Sequence, residues 1–258
     1  MITRLRRAGR LVHYRLSRLR PSRVTIIRPD GAAPGGNETG LAIATYNRPD
    51  YLRRMLEHLG RSALHNTIVA LVDDASSSGE TTRLVRDVSL GPTPIVRIFR
   101  TRRRGYGVDE ALRDAWDVLA DDYGCRLLAN VDSDTVMKPE WLARLVDVFH
   151  RERARQGPLI VTGFNARQHG VIAEAGDYCR KSSIGGLNML FDAGLYHEVI
   201  RPNLRYEPMG EVGWDWYVVA RMRERGYPLL CVRPSVVQHI GAVGRFSHIG
   251  GYDVADDY

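Results

Sequence analysis

The sequence predicts an α/β fold: a mostly parallel, Rossmann-like sheet flanked by helices, spanning residues 39–258. Short apolar runs of strand length recur between Leu41 and Val131, each followed by a stretch of helical character. Three of these runs end on polar groups suited to binding, Thr45-Tyr46-Asn47, Asp73-Asp74 and Asp132-Ser133-Asp134. Parallel strands joined by right-handed crossovers bring those ends to one edge, where open α/β sheets bind ligands.

The chain begins with a basic arm and linker over residues 1–38. Residues 1–23 hold eight arginines and no acid, whereas the remainder is close to neutral, so the net charge of +7 describes an arm more than a domain. Ile2, Leu5, Val12, Leu16 and Leu19 recur at roughly helical spacing among those arginines. The pattern suits a helix on an anionic membrane surface, with a protein-packed or disordered arm as the alternative. Nucleic acid is not an expected partner, because Tyr14 is the arm's one base-stacking aromatic. Pro29 to Asn37, with three glycines, reads as a linker.

The elements then follow in order. Leu41–Tyr46 is the first strand, and Asn47 is the expected cap of a helix with Leu52, Met55, Leu56 and Leu59 on one face and Gly60 as its stop. Asp50 completes a pattern like a capping box. Thr67–Val72 and Pro94–Phe99 are the next strands, the latter followed by a helix with Val108, Ala111, Leu112, Ala115, Trp116 and Leu119 in phase. Leu127, Leu128, Ala129 and Val131 form a fourth, buried strand, and Pro139-Glu140 opens a helix carrying Trp141, Leu142, Leu145, Val146 and Phe149. Leu159–Phe164 is a fifth strand, and Gly185–Phe191 a sixth whose glycines mark a close approach of ligand or backbone. A helix entered from Glu211–Tyr217 and ended at Gly226, a strand over Pro228–Val232, and Ser235–Gly241 complete the set.

An apolar content of 44% with 26% charged residues is ordinary for a soluble globular chain. Cys125, Cys179 and Cys231 are odd in number and widely spaced, which gives no disulfide framework and no zinc pattern. No apolar run approaches the roughly 20 residues that span a bilayer, and arginines interrupt any signal-peptide core. A cytoplasmic location follows, with the arm peripheral at the inner face of the cell membrane.

Asp132 and Asp134 carry the most chemistry. Residues i and i+2 of an extended tip point the same way, so the two carboxylates can share one hard cation. The alternative is a surface turn with two solvated acids. Asp132-Ser133-Asp134-Thr135-Val136 also fits the phosphatase pattern of the haloacid dehalogenases, which Lys181 and Asp256-Asp257 would nominally complete. That motif normally lies on the first core strand, yet three strand–helix units precede it here.

Thr45-Tyr46-Asn47-Arg48, Val72-Asp73-Asp74-Ala75-Ser76, Asp132-Ser133-Asp134, Gly213-Trp214-Asp215-Trp216 and Val237-Gln238-His239 together resemble, in order and spacing, the inverting glycosyltransferase family 2, of GT-A fold. The resemblance spans residues 40–241. It implies a nucleotide-diphosphate sugar donor and a glycan or lipid-linked acceptor. Ala44, Thr45, Asn47, Asp73 and Asp74 would hold base and ribose. Asp134 would ligate Mn²⁺ or Mg²⁺, Asp132 would bind the ribose or a metal water, and His239 would complete the metal shell, with His248 as its competitor. Gly185 and Gly186 lie in a segment resembling the lining of the donor-sugar pocket.

The chemistry makes independent demands. A departing nucleoside diphosphate needs a cation, and an attacking hydroxyl needs a base. Asp215 is the candidate base, assigned by position, because the family usually has Glu-Asp where this chain has Trp214-Asp215. Trp214 and Trp216 would stack on a sugar or pack in the core. A second departure is Ala111-Leu112-Arg113, where the family often has Ala-Arg-Asn. A non-catalytic nucleotide-sugar or glycan-binding protein on the same fold is the alternative function.

Overall fold

The computed structural model describes residues 22–31, 35–102, 107–206, 212–242 and 253–258. Strands β1 (Val24–Ile27), β2 (Thr39–Thr45), β3 (Thr67–Asp73) and β4 (Ile95–Arg100) are joined after β2 by helices α1 (Pro49–Leu59) and α2 (Gly79–Asp87). Helix α3 (Val108–Asp117), extended by a π turn over Val118–Asp122, leads to β5 (Leu127–Val131), β6 (Thr135–Met137) and α4 (Trp141–Gln156). Strands β7 (Ile160–Thr162), β8 (Val171–Glu174), β9 (Tyr178–Lys181) and β10 (Asn188–Asp192) come next. A bent helical stretch, α5, consists of Ala193–Leu195, a π turn Tyr196–Ile200 and Arg201–Asn203. Helix α6 (Trp214–Glu224), β11 (Leu229–Val232) and β12 (Val237–His239) follow.

Ten strands form one sheet in the order β1-β4-β3-β2-β5-β10-β7-β11-β9-β8, and β12 pairs separately with β6. Strands β4, β3, β2 and β5 are mutually parallel, and β7 and β11 are parallel to each other. Strand β10 runs antiparallel between β5 and β7 and so restores the common direction on its far side; β1 and β9 also run against it. Thr45 is level with Asp73, and Asp73 with Phe99, so the ends of β2, β3 and β4 share one edge.

The sheet alternates inward residues toward two helical layers. Leu41, Ile43, Val69 and Leu71 pack against α1, α2 and α4, whereas Ala42, Ala70, Val72 and Ile98 pack against α3, α5 and α6. Trp116 is fully buried in the second layer, edge-on to Phe191, Tyr196 and Trp214 with centroids 5.2, 5.8 and 5.7 Å away. Its indole N–H donates to Ala129 O at 3.1 Å, which satisfies the one polar atom of that large apolar side chain. Gly40 is required where α3 crosses β2, because a Cβ there would lie 2.8 Å from Leu119 Cβ.

Two departures from the sequence expectations concern extent. The ordered unit begins before the expected boundary near Thr39: β1, inside the supposed arm and linker, pairs antiparallel with β4 along Val24–Ile27. Its half-exposed edge position left no inward alternation to read. The β8–β9 hairpin was also unforeseen, since all four β8 residues are exposed. Residues 1–21, on which the expected membrane-binding helix falls, lie outside the described residues. Among the described residues no helix is long and apolar enough to cross a membrane.

Candidate functional site

The turn after β5 is built by its own side chains. Thr135 Oγ1 donates to Asp132 O at 2.8 Å, and Asp132 N donates to Leu187 O at 2.9 Å. The chain then enters β6, whose register with β12 sets His239 opposite Thr135. Ile240 N donates to Asp134 O at 2.9 Å, and His239 Nε2 comes to 3.3 Å from Asp134 Oδ2. Arg48, from the loop after β2, donates through Nη1 to the same oxygen at 2.5 Å. Burial alone would raise the Asp134 pKa, but the hydrogen bond from His239 and the Arg48 charge outweigh it and hold the carboxyl below its usual range. Asp132 is partly exposed and accepts no hydrogen bond on its carboxylate from the described residues. Burial, then the charges of Asp134 and Asp215, push its pKa well up, with Arg48 opposing them.

Asp215 lies in the first turn of α6, behind the N-cap residue Gly213. Gly186 N donates to Asp215 Oδ2 at 3.1 Å, and Asn130 Nδ2, from β5, donates to Gly186 O at 2.7 Å. One glycine is thereby held on both sides. A Cβ at Gly186 would lie 2.8 Å from Trp214 Cζ2 and 3.2 Å from Asp215 Cβ, which explains why no side chain is present. Since Leu187 holds the Asp132 backbone and its neighbour Gly186 holds the Asp215 carboxylate, the two acids lie close together. Burial raises the Asp215 pKa, against the lowering effect of backbone N–H groups of Gly186, Trp216 and Asp215 itself. The two tryptophans divide: Trp216 is 56% exposed, whereas Trp214 is buried against Trp116. Of the two alternatives read from the sequence, core packing is the one Trp214 adopts, and residues i and i+2 of a helix point about 200° apart, so Trp216 faces away from that contact. Gly185 sits beside His169, its virtual Cβ 3.4 Å from Nε2.

The loops after β2 and β3 knit together, and Arg48 ties the first of them to Asp134. Asn47 has φ +52°, accepts from Ser78 N through Oδ1 at 2.9 Å and donates through Nδ2 to Ser77 Oγ at 3.1 Å. The expected helix cap is therefore a correction: Arg48 is the N-cap residue of α1 with no side-chain cap bond, and Asn47 reaches across to the neighbouring loop. Asp73, expected at base and ribose, accepts from Ser76 N at 2.9 Å and Thr82 Oγ1 at 2.7 Å. Both its oxygens support the loop. Asp74 is buried and accepts from Arg100 Nη1 at 2.8 Å, while its N–H donates to Thr45 O at 3.0 Å. Thr45 is buried with its hydroxyl unpartnered among the described residues, and Ala44 is half-buried just before it.

Sequence reasoning missed Arg48, Arg100 and Asn130 as parts of the site. Arg48 lies within a quoted motif and Arg100 ends a strand, but nothing in a lone sequence pairs either with its aspartate. The phosphatase set does not assemble. Lys181 Nζ donates to Asn165 Oδ1 at 2.7 Å and Ala166 O at 3.2 Å, and Asp257 is held by Ser235, Asn165 and Arg233. His248 lies outside the described residues.

Residues 41–168 match the family model described as Glycosyl transferase family 2. That segment is a family 2 glycosyltransferase domain. The family 2 match includes the β2 and β3 loops and both Asp132 and Asp134, and it stops before Asp215 and His239. A solved mannosyltransferase, PcManGT from Pyrobaculum calidifontis in complex with GDP-Man and Mn²⁺, superposes with a TM-score of 0.52 at 18% identity, over 91% of this chain and 65% of that one. TarS of S. aureus superposes with a TM-score of 0.52 at 10% identity, over 78% of this chain and 36% of TarS. The chain thus spans less than two thirds of either neighbour's length, and the likeness establishes the GT-A fold. No curated protein sequence matches the chain.

For the family 2 domain, the metal question narrows to Asp134 and His239. Among the described residues no group of three or more His, Cys, Asp or Glu side chains is arranged to hold an ion. The pair that is present nevertheless fits one. A carboxylate oxygen and an imidazole nitrogen converge, and O and N donors suit Mn²⁺. Gly241 passes so close that any Cβ would overlap Asp134 Oδ2 and crowd His239 Nε2.

Proposed function

We propose that the protein transfers a sugar, with inversion, from a nucleotide-diphosphate donor to a hydroxyl of a glycan or lipid-linked acceptor, and that it needs Mn²⁺ or Mg²⁺. The observation that carries this reading is a pair of neighbouring anchors, Leu187 O on the Asp132 N–H and Gly186 N on the Asp215 carboxylate, which brings the candidate base close to the Asp132–Asp134 turn.

Asp134 and His239 would hold the divalent ion, which when bound supplies positive charge for the departing diphosphate. Thr45, Ala44 and the loop tied together by Asn47, Asp73 and Asp74 would receive base and ribose, with Asp132 toward the ribose. Asp215, anchored through Gly186 and raised by burial, would accept the acceptor hydroxyl proton as the new bond forms. Trp216 offers an exposed indole face to a sugar. Residues 1–23 would bring this site to an anionic membrane surface on the cytoplasmic side.

Thermal shifts with UDP, GDP and CDP, each with and without Mn²⁺, test donor class. A shift with one nucleotide that depends on metal supports the reading, and no shift with any of them overturns it. Asp215→Asn should retain that shift while losing turnover. A protein that only binds nucleotide-sugar would have no turnover to lose.

A further inference from the structure

Asp134 Oδ2 has two claimants. Arg48 Nη1 lies 2.5 Å from it and His239 Nε2 3.3 Å, so the oxygen through which aspartate and histidine would share an ion is one a guanidinium already holds. The arginine is firmly placed. It is the N-cap residue of α1, its carbonyl accepts Leu52 N–H at 3.0 Å, and its guanidinium lies 4.5 Å from the Tyr51 ring centroid. Its side chain is 26% exposed against 8% for Asp134, so a partly exposed guanidinium meets a buried oxygen.

A guanidinium and a divalent ion repel each other at contact distance from one oxygen, so the two compete for Oδ2, which the backbone of Gly241 also approaches closely. Leaving Asp134 without a counter-charge is costly in so buried a place, which is why some cation should be there at all times. An arriving diphosphate changes the balance. It brings negative charge that draws in a divalent ion, and its oxygens match the planar fork of an arginine.

We propose that Arg48 is a resident cation on Asp134 that yields to the divalent ion only when a nucleoside diphosphate enters, its guanidinium then pairing with the diphosphate. The inference rests on the donor reading above and extends it to the order of binding. Metal and nucleotide must then strengthen each other's binding by the same factor. The protein holds divalent ions weakly before the donor arrives.

The test measures Mn²⁺ binding to the full chain by the loss of the free-ion electron paramagnetic resonance signal, alone and with UDP, GDP or CDP, and nucleotide binding by calorimetry. In the wild type, one nucleotide should tighten Mn²⁺ binding by roughly tenfold or more, the scale of one charged hydrogen bond. Arg48→Gln should shift the two affinities in opposite directions, Mn²⁺ alone binding roughly tenfold tighter and the nucleotide roughly tenfold weaker. Arg48→Lys keeps the charge without the fork, so its Mn²⁺ affinity should stay near wild type while its nucleotide affinity falls; this variant carries the test if the glutamine protein does not fold.

If wild type binds both ligands and Arg48→Gln leaves Mn²⁺ affinity unchanged or weaker, the role of Arg48 is overturned and the donor reading stands. If wild type binds no Mn²⁺ with any nucleotide, the metal-dependent reading falls and takes this inference with it.

Discussion

Nε2 of His239 and Oδ2 of Asp134 lie 3.3 Å apart although 105 residues separate them in the chain. The pairing of β12 with β6 makes that meeting, because it fixes His239 opposite Thr135, one residue beyond Asp134. Replacing His239 by Ala should weaken Mn²⁺ binding with nucleotide present by about 10- to 100-fold. Asp134→Ala should abolish it. Calorimetric titration of Mn²⁺ into each variant with bound nucleotide checks both, and an unchanged His239→Ala affinity would remove His239 from the site.

Asp215 should dominate the acid side of the rate profile. Burial raises its pKa, and a base works only when deprotonated, so activity falls as pH drops through a value above the ordinary 3.8. The logarithm of kcat/KM should decline with unit slope there. Asp215→Asn should lower turnover by about 10²- to 10⁴-fold without weakening nucleotide binding.

Gly241→Ala isolates the crowding above Asp134. The added methyl overlaps Oδ2 and must push β12 or the carboxylate aside. Because the insertion is local, we expect a stability loss of about 1 to 3 kcal/mol together with a drop in Mn²⁺ affinity. Calorimetric titration beside a denaturant melt separates the two effects.

Asp114 gives a pH dependence of stability unconnected with turnover. Burial raises its pKa to about 6, against the lowering effect of Arg100 and with Glu110, Asp117 and Asp74 adding to the rise. The folded protein then binds more protons than the unfolded chain between about pH 4 and 6. This contribution is present at low pH and is lost as pH rises through the folded value. Relative to Asp114→Asn, the wild type should lose up to about 3 kcal/mol between pH 4 and 7, measured by urea unfolding of both proteins at each pH.

What the chain alone determined is the architecture around β2, β3, β4 and β5, because buried parallel strands must be apolar throughout and that composition is visible without partners. It likewise placed Asp132 and Asp134 just beyond the end of a buried strand, β5. Tertiary structure decided the rest. Trp214 and Trp216 are equivalent as letters, and only the packing of α6 on Trp116 buries one and leaves the other exposed. Asn47 reads as a cap until the meeting of two loops gives its amide partners in Ser77 and Ser78. Strands β1 and β8 are edge elements whose exposed residues carry no alternation. Arg48 found Asp134 across 86 residues. Charge pairing of that range depends on where the backbone delivers each group, and no local pattern encodes it.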